Sequence, residues 1–298
     1  MQWYPRTFHL FLFFFFSAAP VFAQEPAPEV FYFIGANGKT GVRTAEGGVL
    51  IAAEYTLEDA DTVQPIAGRL IYLEKKDTSG SRFDRSGYYF NRQGRFLFHP
   101  YRSELGPDPL EEGLLRFVEG EKIGFADRTG RKVIPARFDY AMPFEYGLSF
   151  FCAGCSFATD TSGERKLLVQ SWGLLDKTGK TLRPPGVLKL PQYPLVTDTL
   201  VRKFPQPVYS RPEQALVARL RAVPGLEDKM TSTWVTPPDS VTYRIVERPT
   251  KTFPYYWIKA YGHSSGVIMT LEHFALPAEG PAIRRYWPAG DFVEELRQ

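Results

Sequence analysis

Short apolar runs alternate with glycine, proline and polar turn residues along most of the chain, and this pattern predicts strands joined by tight turns. The segment at 120–139, GEKIGFADRTGRKVIPARFD, is the clearest example, because two apolar runs flank the tetrad DRTG. Asp favours the first position of a type I turn, and Gly adopts the left-handed conformation that closes a bulged hairpin. The segment at 171–184, SWGLLDKTGKTLRP, has the same arrangement around DKTG. Each segment is therefore expected to form a strand, a tight turn and a second strand.

The same spacing occurs in four units, which are anchored at positions 41, 88, 124 and 173 and are called units 1 to 4 below. A glycine follows each anchor by six positions, and in units 3 and 4 a proline comes five positions later. The residues that carry the pattern are Gly41, Gly47, Gly94, Gly124, Asp127, Gly130, Pro135, Trp172, Gly173, Asp176, Gly179 and Pro184. Units repeated at intervals of 36 to 49 residues indicate supersecondary elements that stack to bury their apolar faces. The alternative, a sandwich of unrelated hairpins, explains the turn residues but not the matched spacing.

The second half begins with a proline-rich stretch and then changes character. Seven prolines lie between positions 184 and 212, and this density excludes a continuous helix there. The segment SRPEQALVARLRAVPG follows, and it predicts a helix with Ser210 as N-cap and Glu213 as its capping-box partner. Four segments rich in β-branched and aromatic residues come next: SVTYRIVER, FPYYWIKAY, GVIMTLEHFAL and AIRRYWPA. They predict an antiparallel meander.

The sequence therefore predicts a mainly β protein in two parts. An array of four β-hairpin repeats is expected over residues 30–184, and a proline-rich connector over 185–209. A small α+β domain, with one helix on an antiparallel sheet, is expected over 210–298.

The first 23 residues have the pattern of a secretory signal peptide. Arg6 precedes the apolar run from Leu10 to Phe16, and small or compact residues at Val21 and Ala23 predict cleavage after Ala23. The alternative is an uncleaved N-terminal anchor. No later stretch approaches 18 apolar residues, so no membrane span is expected after cleavage. The prediction is a secreted or periplasmic protein.

Composition and charge add little to this picture. With 44% hydrophobic and 23% charged residues, the chain has the composition of a globular protein. Loss of Arg6 with the signal peptide leaves 35 basic against 33 acidic residues, a net charge of +2. This balance points to no polyanionic partner, and no nucleic acid is expected.

Cys152 and Cys155 are the only cysteines. In an exported protein two close thiols are expected to oxidise, and the resulting small ring would stiffen the loop at 149–169. A redox-active pair and half of a zinc site are the alternatives.

Other residues carry weaker indications of chemistry. Ser264 lies at the centre of GHSSG, a nucleophile-elbow pattern, but the elbow requires a helix after the serine and this sequence continues as a strand. His273 is expected to share a strand face with Met269 and Leu271 and to be partly buried and hydrogen-bonded. The histidines are too scattered for a metal site, and turn chemistry accounts for Asp127 and Asp176 without calcium. No cofactor is expected.

The strongest candidate for a binding surface is the segment FPYYWIKAY. Strand alternation places Tyr255, Trp257, Lys259 and Tyr261 on one face. If exposed, that face could stack on a sugar ring or on a partner's apolar patch. The alternative is core packing on both faces, with the helix covering one and the repeats the other.

The segments EEGLLRFVEGEKIGFADRTGRKVIPARFDYAMPFEYGL and SWGLLDKTGKTLRP resemble the bacterial WG-repeat family. Phe144, Glu145, Gly147 and Leu148 match the opening element of a repeat, and Trp172 with Gly173 is the signature pair. The pair is altered in the other units, where the tryptophan position holds Ile123 or Thr40, or where Gly87 and Tyr88 shift it.

The resemblance covers about residues 36–184 and implies a β-rich repeat scaffold, often exported, without established catalytic residues. The function expected is a non-catalytic scaffold that binds a protein or glycan of the cell envelope. Two alternatives are an envelope redox protein or hydrolase using CAGC or Ser264, and a carbohydrate-binding accessory protein.

Overall fold

The computed structural model describes residues 29–58, 60–103, 106–159, 161, 165–188, 194–230, 241–288 and 292–296. The predicted signal peptide and part of the predicted connector, at 189–193, lie outside these residues. The protein is mainly β, as predicted, and its strands pair in antiparallel sheets.

The strands of the first half form three larger sheets and two short hairpins. The first sheet contains β1 (Val30–Ile34), β2 (Thr40–Thr44) and β3 (Val49–Tyr55) in that order. The second has the order β11-β10-β9-β6-β5-β4 and contains β4 (Ile71–Glu74), β5 (Gly87–Phe90), β6 (Phe96–Pro100), β9 (Leu114–Glu119), β10 (Lys122–Asp127) and β11 (Lys132–Phe138). The third has the order β12-β13-β16-β17 and contains β12 (Tyr140–Ala141), β13 (Leu148–Cys152), β16 (Trp172–Asp176) and β17 (Thr181–Leu188). The hairpins are β7 (Arg102–Ser103) with β8 (Gly106–Pro107), and β14 (Ser156–Thr159) with β15 (Arg165–Leu168).

The second half consists of three short helices and one sheet. The helices are α1 (Asp198–Val201), α2 (Arg211–Arg221) and α3 (Leu226–Met230). The sheet contains, in sequence order, β18 (Thr242–Glu247), β19 (Tyr255–Ser264), β20 (Val267–Pro277), β21 (Arg284–Trp287) and β22 (Phe292–Glu295), and it is called the C-terminal sheet below.

The predicted helix is confirmed as α2, with a complete capping box in which the Ser210 backbone N–H donates to Glu213 Oε2 at 2.8 Å. The prediction of a single helix is incomplete, because α1 and α3 flank it. The first residues of the predicted connector form the end of β17, which continues through Pro184 and Pro185 to Leu188. Proline is tolerated there because β17 is the edge strand of its sheet and needs hydrogen bonds on one side only.

The predicted turn chemistry is present in the repeats. Asp127 Oδ1 accepts hydrogen bonds from the backbone N–H of Thr129 at 2.9 Å and of Arg131 at 3.1 Å. Asp176 Oδ1 makes the same pair of bonds in unit 4, at the same two lengths. In unit 2 the side chain of Asn91 takes this role. These aspartates therefore hold turns, and the residues that the structure describes contain no cluster of three or more His, Cys, Asp or Glu suited to a metal.

The anchor glycine of a unit lies under an aromatic ring of the paired strand. Gly124 pairs with Phe117, and a Cβ at Gly124 would lie 2.6 Å from the Phe117 ring. Gly173 has the same relation to Phe151, at 2.5 Å. In unit 2 the ring comes from the anchor itself, Tyr88, and an aliphatic residue stands opposite. A Cβ at Gly124 would also lie 2.6 Å from the Ile134 carbonyl oxygen of the third strand, so the glycine of the WG pair is explained by close packing against both neighbouring strands.

The turn glycine of one unit packs on the third strand of the unit before it. A Cβ at Gly94 would lie 2.6 Å from the Leu50 carbonyl oxygen, and one at Gly179 would lie 3.1 Å from the Ile134 side chain. Gly130 of unit 3 contacts Leu97 of unit 2 in the same way. The units therefore stack in sequence order, as expected for repeats that share a core.

The C-terminal sheet lies between α2 and the repeats. Leu216 and Leu220 of α2 pack with Ile258 and Phe274 on one face. On the other face Trp257 packs with core residues of units 2 and 3. The two predicted parts thus share a core, and no helix among the described residues has the length and apolar character required to cross a membrane.

Candidate functional site

The candidate binding face on β19 points into the protein. Trp257, Lys259 and Tyr261 are fully buried against the repeats, and Tyr255 is half-buried. Ile258, the neighbour on the opposite face, is covered by α2. Stacking on a soluble ligand requires exposed rings, so the exposed-face interpretation is replaced by core packing on both faces.

Lys259 is the centre of a buried charged contact between β19 and the repeats. Its Nζ donates to Glu111 Oε2 at 2.9 Å and to Glu145 Oε2 at 3.3 Å. The two glutamates occupy the same position in successive units, in the segments EEGL and EYGL. One lysine therefore ties unit 3 and unit 4 to the same point of the C-terminal sheet.

The geometry of these two segments explains how both glutamates reach one lysine. Each segment is a tight turn whose ends form a β-bridge, Glu111 with Leu114 and Glu145 with Leu148. The second residue of each turn, Glu112 or Tyr146, has a positive φ near 50°, a left-handed conformation that few side chains adopt. Two copies of one turn thus present equivalent carboxylates to Lys259.

A second buried carboxylate, Glu112, lies beside this contact. It accepts a hydrogen bond from the Tyr261 hydroxyl at 2.7 Å and from the Gly147 backbone N–H at 2.9 Å. Burial raises the pKa of Glu112, but Lys177, Lys259 and the Tyr261 hydroxyl outweigh this and leave the pKa below its usual value. Glu112 is therefore a buried carboxylate held in its charged form.

The pKa values of the other members follow from burial and charge. Burial raises the pKa of Glu111 and of Glu145, and Lys259 only partly offsets it. Burial lowers the pKa of Lys259, but the three glutamates outweigh it and the pKa lies above its usual value. Each charge is thus stabilised by the others, with some contact to solvent at Glu111 and Glu145.

The turns of units 3 and 4 contribute equivalent cations to the same interface. Arg128 follows the turn aspartate of unit 3, and its Nε donates to Glu247 Oε1 at 2.8 Å while its guanidinium stacks 3.8 Å from the Phe253 ring centroid. Lys177 follows the turn aspartate of unit 4 and donates to the Val246 carbonyl at 2.6 Å. Burial lowers the pKa of Lys177, and Glu112 partly restores it.

We call this set of residues the interlock: Glu111, Glu112, Arg128, Glu145, Lys177, Glu247, Lys259 and Tyr261. Of these, only Glu145, Lys259 and Tyr261 were singled out from the sequence, and none as a charged contact. Internal repetition could have pointed to Glu111, Arg128 and Lys177, because glutamate precedes x-G-L and a basic residue follows the turn aspartate in both unit 3 and unit 4. No repeated pattern marks Glu112 or Glu247.

His273 is half-buried and hydrogen-bonded, as predicted, but it lies on the other strand face. Trp257 Nε1 donates to His273 Nδ1 at 3.2 Å. A bulge between the pairs of Ala260 and Tyr261 puts an extra residue, Leu271, into β20 and reverses the alternation beyond it. Burial, with a smaller contribution from Lys259, lowers the pKa of His273 to about 3, so the ring is neutral at physiological pH.

Ser264 lies at the end of a strand that is followed by another strand. Ser265 and Gly266, with φ of 52° and 79°, form the two-residue turn between β19 and β20. This is the hairpin expected from the sequence, and the strand-turn-helix context of a nucleophile elbow is not formed at this serine.

Cys152 and Cys155 form the predicted disulfide. Both residues are buried in a cluster that includes Trp172 and Leu167. The disulfide lies at the base of the β14–β15 hairpin, inside the loop that it was expected to stiffen.

The comparison with known families supports the resemblance to WG repeats. A model described as WG containing repeat matches residues 123–154, which run from the second strand of unit 3 to the first strand of unit 4. No curated protein and no solved structure matches the chain.

Proposed function

We propose that the protein is an exported, non-catalytic repeat scaffold that binds a protein or another ligand in the bacterial cell envelope. The observation that carries this proposal is the interlock, in which Lys259 fixes two successive repeats to the C-terminal sheet. A scaffold held in one arrangement loses little conformational freedom on binding, and this favours affinity.

The side chains that suggested chemistry are engaged in internal contacts. Lys259 and Tyr261 bind carboxylates of the repeats, and His273 accepts from Trp257. The redox alternative is less well supported because both cysteines are buried, and disulfide exchange requires access for an attacking thiolate. The carbohydrate alternative loses its basis on β19 for the same reason, since Trp257 is buried.

Exposed apolar side chains on the repeats support a binding role for the array. Val49, Phe96 and Val133 lie at the start of the third strand in units 1, 2 and 3, and 62%, 43% and 38% of each residue is exposed. Repeated exposed apolar positions on stacked units form a surface suited to an extended partner.

Export is supported by the signal-peptide pattern at 1–23 and by the disulfide, which is stable in oxidising compartments. Mass spectrometry of the protein purified from cells tests this part directly. The mature chain is expected to start at Gln24; a chain that retains residues 1–23 contradicts cleavage.

Site-specific crosslinking in intact cells tests the binding surface. A photoreactive amino acid is placed singly at Val49, Phe96 and Val133, and at Val208 as a matched control. Val208 is an equally apolar residue of the connector and is 90% exposed. One discrete adduct shared by the three repeat positions and absent at Val208 is expected. The same adducts at all four positions, or none at the repeats, would overturn the assignment of this surface.

A further inference from the structure

A cleft of about 150 Å³ lies where units 1, 2 and 3 meet the C-terminal sheet. Tyr32 of β1, Tyr72 of β4 and Tyr89 of β5 contribute to its wall, and Pro288, next to β21, closes one side. A cavity of roughly 150 Å³ accommodates one six-membered ring. The cleft thus has room for a single ring and aromatic side chains beside it.

Two polar groups of this wall have no protein partner among the described residues. Among the described residues, the Tyr89 hydroxyl has no hydrogen-bond partner. Arg69 likewise forms no hydrogen bond and no ion pair with any described residue. The other charged wall residues differ, since Asp108 is bound by Arg116 and Arg128 by Glu247. Arg69 and Tyr89 are therefore the groups that remain available to a ligand.

The charge around Arg69 favours an anion. The neighbouring Arg92 directs its guanidinium at the carbonyl oxygens of Ile66, Ala67 and Gly68, which carry no formal charge. Burial lowers the pKa of Arg92, and repulsion from Arg69 lowers it further. Arg92 thus lies near Arg69, behind the wall of the cleft, with carbonyl oxygens as its partners, and the field of the two guanidinium groups attracts negative charge.

We propose that this cleft binds the carboxylate of a small ligand built on one six-membered ring, with Arg69 paired to the carboxylate and the Tyr89 hydroxyl bonded to the ligand. Guanidinium and carboxylate form paired, charge-assisted hydrogen bonds, and tyrosine rings pack against planar or sugar rings. This inference deepens the proposed binding function and rests on it. A uronic acid at the end of a glycan and an aromatic acid share the required chemistry.

Titration of the mature protein with glucuronate, glucose and benzoate, followed by NMR, tests the site. The variants are Arg69→Gln, Tyr89→Phe and the control Arg95→Gln, which removes an exposed arginine of the same unit. Glucuronate or benzoate is expected to bind, and glucose is not. Arg69→Gln should weaken binding about tenfold or more and Tyr89→Phe about threefold to tenfold, because each removes a hydrogen bond, of which the arginine's is charged. Arg95→Gln should bind as the unmodified protein does.

The outcomes separate the sources of the ligand and the two proposals. Binding of glucuronate alone assigns an acidic sugar, and binding of benzoate alone assigns an aromatic acid. Three results would overturn the carboxylate site: glucose binding as well as the acids, unchanged affinity in Arg69→Gln, or no binding of either acid at about 10 mM. A concentration of about 10 mM would nearly saturate a site with a Kd of about 1 mM. The crosslinking from Val49, Phe96 and Val133 does not depend on the cleft, so its result tests the scaffold function separately.

Discussion

Replacement of Lys259 by methionine tests whether the interlock holds the two parts of the protein together. Lys259 is 0% exposed and is the direct partner of Glu111 and Glu145. The variant keeps the length of the side chain but leaves two partly buried carboxylates, 23% and 31% exposed, without their cation. Removal of one partner from a fully buried pair costs about 3–5 kcal/mol, and an exposed pair contributes about 0.2–1 kcal/mol. We expect the free energy of unfolding at pH 7 to fall by about 2–3 kcal/mol, between these two limits.

The loss should depend on pH in a defined direction. The pKa values of Glu111 and Glu145 are already raised by burial, and removal of Lys259 raises them further. The folded variant then holds protons that the unfolded chain releases above a pKa of about 4.3. Its stability therefore recovers as the pH falls from 7 towards that value, and the deficit against the unmodified protein shrinks.

Urea unfolding followed by tryptophan fluorescence at pH 7 and pH 5 measures both effects. The matched control is Lys132→Met, because Lys132 pairs with Glu119 at 2.6 Å with both side chains partly exposed. An exposed pair of this kind contributes about 0.2–1 kcal/mol. A loss in Lys259→Met no larger than in Lys132→Met, or one that is equal at both pH values, would refute the assignment of a buried ionic contact.

Three further predictions concern single features of the fold. Gly124→Ala should lower the free energy of unfolding, measured by thermal unfolding, by about 1–3 kcal/mol, because its Cβ would meet both neighbouring strands. Gly47→Ala should cost only about 1 kcal/mol, for its positive φ alone, and equal losses would contradict the close-packing explanation. Joint replacement of Cys152 and Cys155 by serine should lower stability by about 2 kcal/mol relative to the oxidised unmodified protein. Reduction of the unmodified protein should lower its stability by the same amount, and an unchanged unfolding midpoint in the variant would argue against a structural disulfide. His273→Gln should make the protein less sensitive to acid. The folded-state pKa of His273, about 3, lies below the unfolded value, so the unmodified protein loses roughly 1 kcal/mol of stability per pH unit below about pH 6. Parallel curves of stability against pH for the two proteins would contradict this.

Local chemistry was predictable from the sequence where it depends on neighbouring residues. The turns at Asp127 and Asp176 follow from the turn preferences of Asp and Gly. The start of α2 follows from the capping box at Ser210. In each case the interacting groups lie within a few residues of one another, so the spacing carries the information.

The contacts of β19 could not be predicted in the same way. Glu111 and Lys259 are separated by 148 residues, and no local pattern links them. Strand alternation correctly placed Trp257, Lys259 and Tyr261 on one face, but it does not say what covers that face. His273 was placed on the wrong face because one inserted residue, Leu271, reverses the alternation and has no signature in the sequence.

The interlock makes the positions at which a repeat could be added to the array unequal. Units 3 and 4 are fixed to Lys259, and a repeat inserted between them would separate Glu111 from Glu145. Unit 1 packs in a core cluster made of residues between Val30 and Phe90, and no atom of the described chain outside its own turn lies within 4 Å of a Cβ built at Gly47. Duplication of a unit ahead of Val30 would leave every contact of Lys259 in place. The ionic contacts of Lys259 therefore tolerate a change in repeat number ahead of unit 3 but not between units 3 and 4.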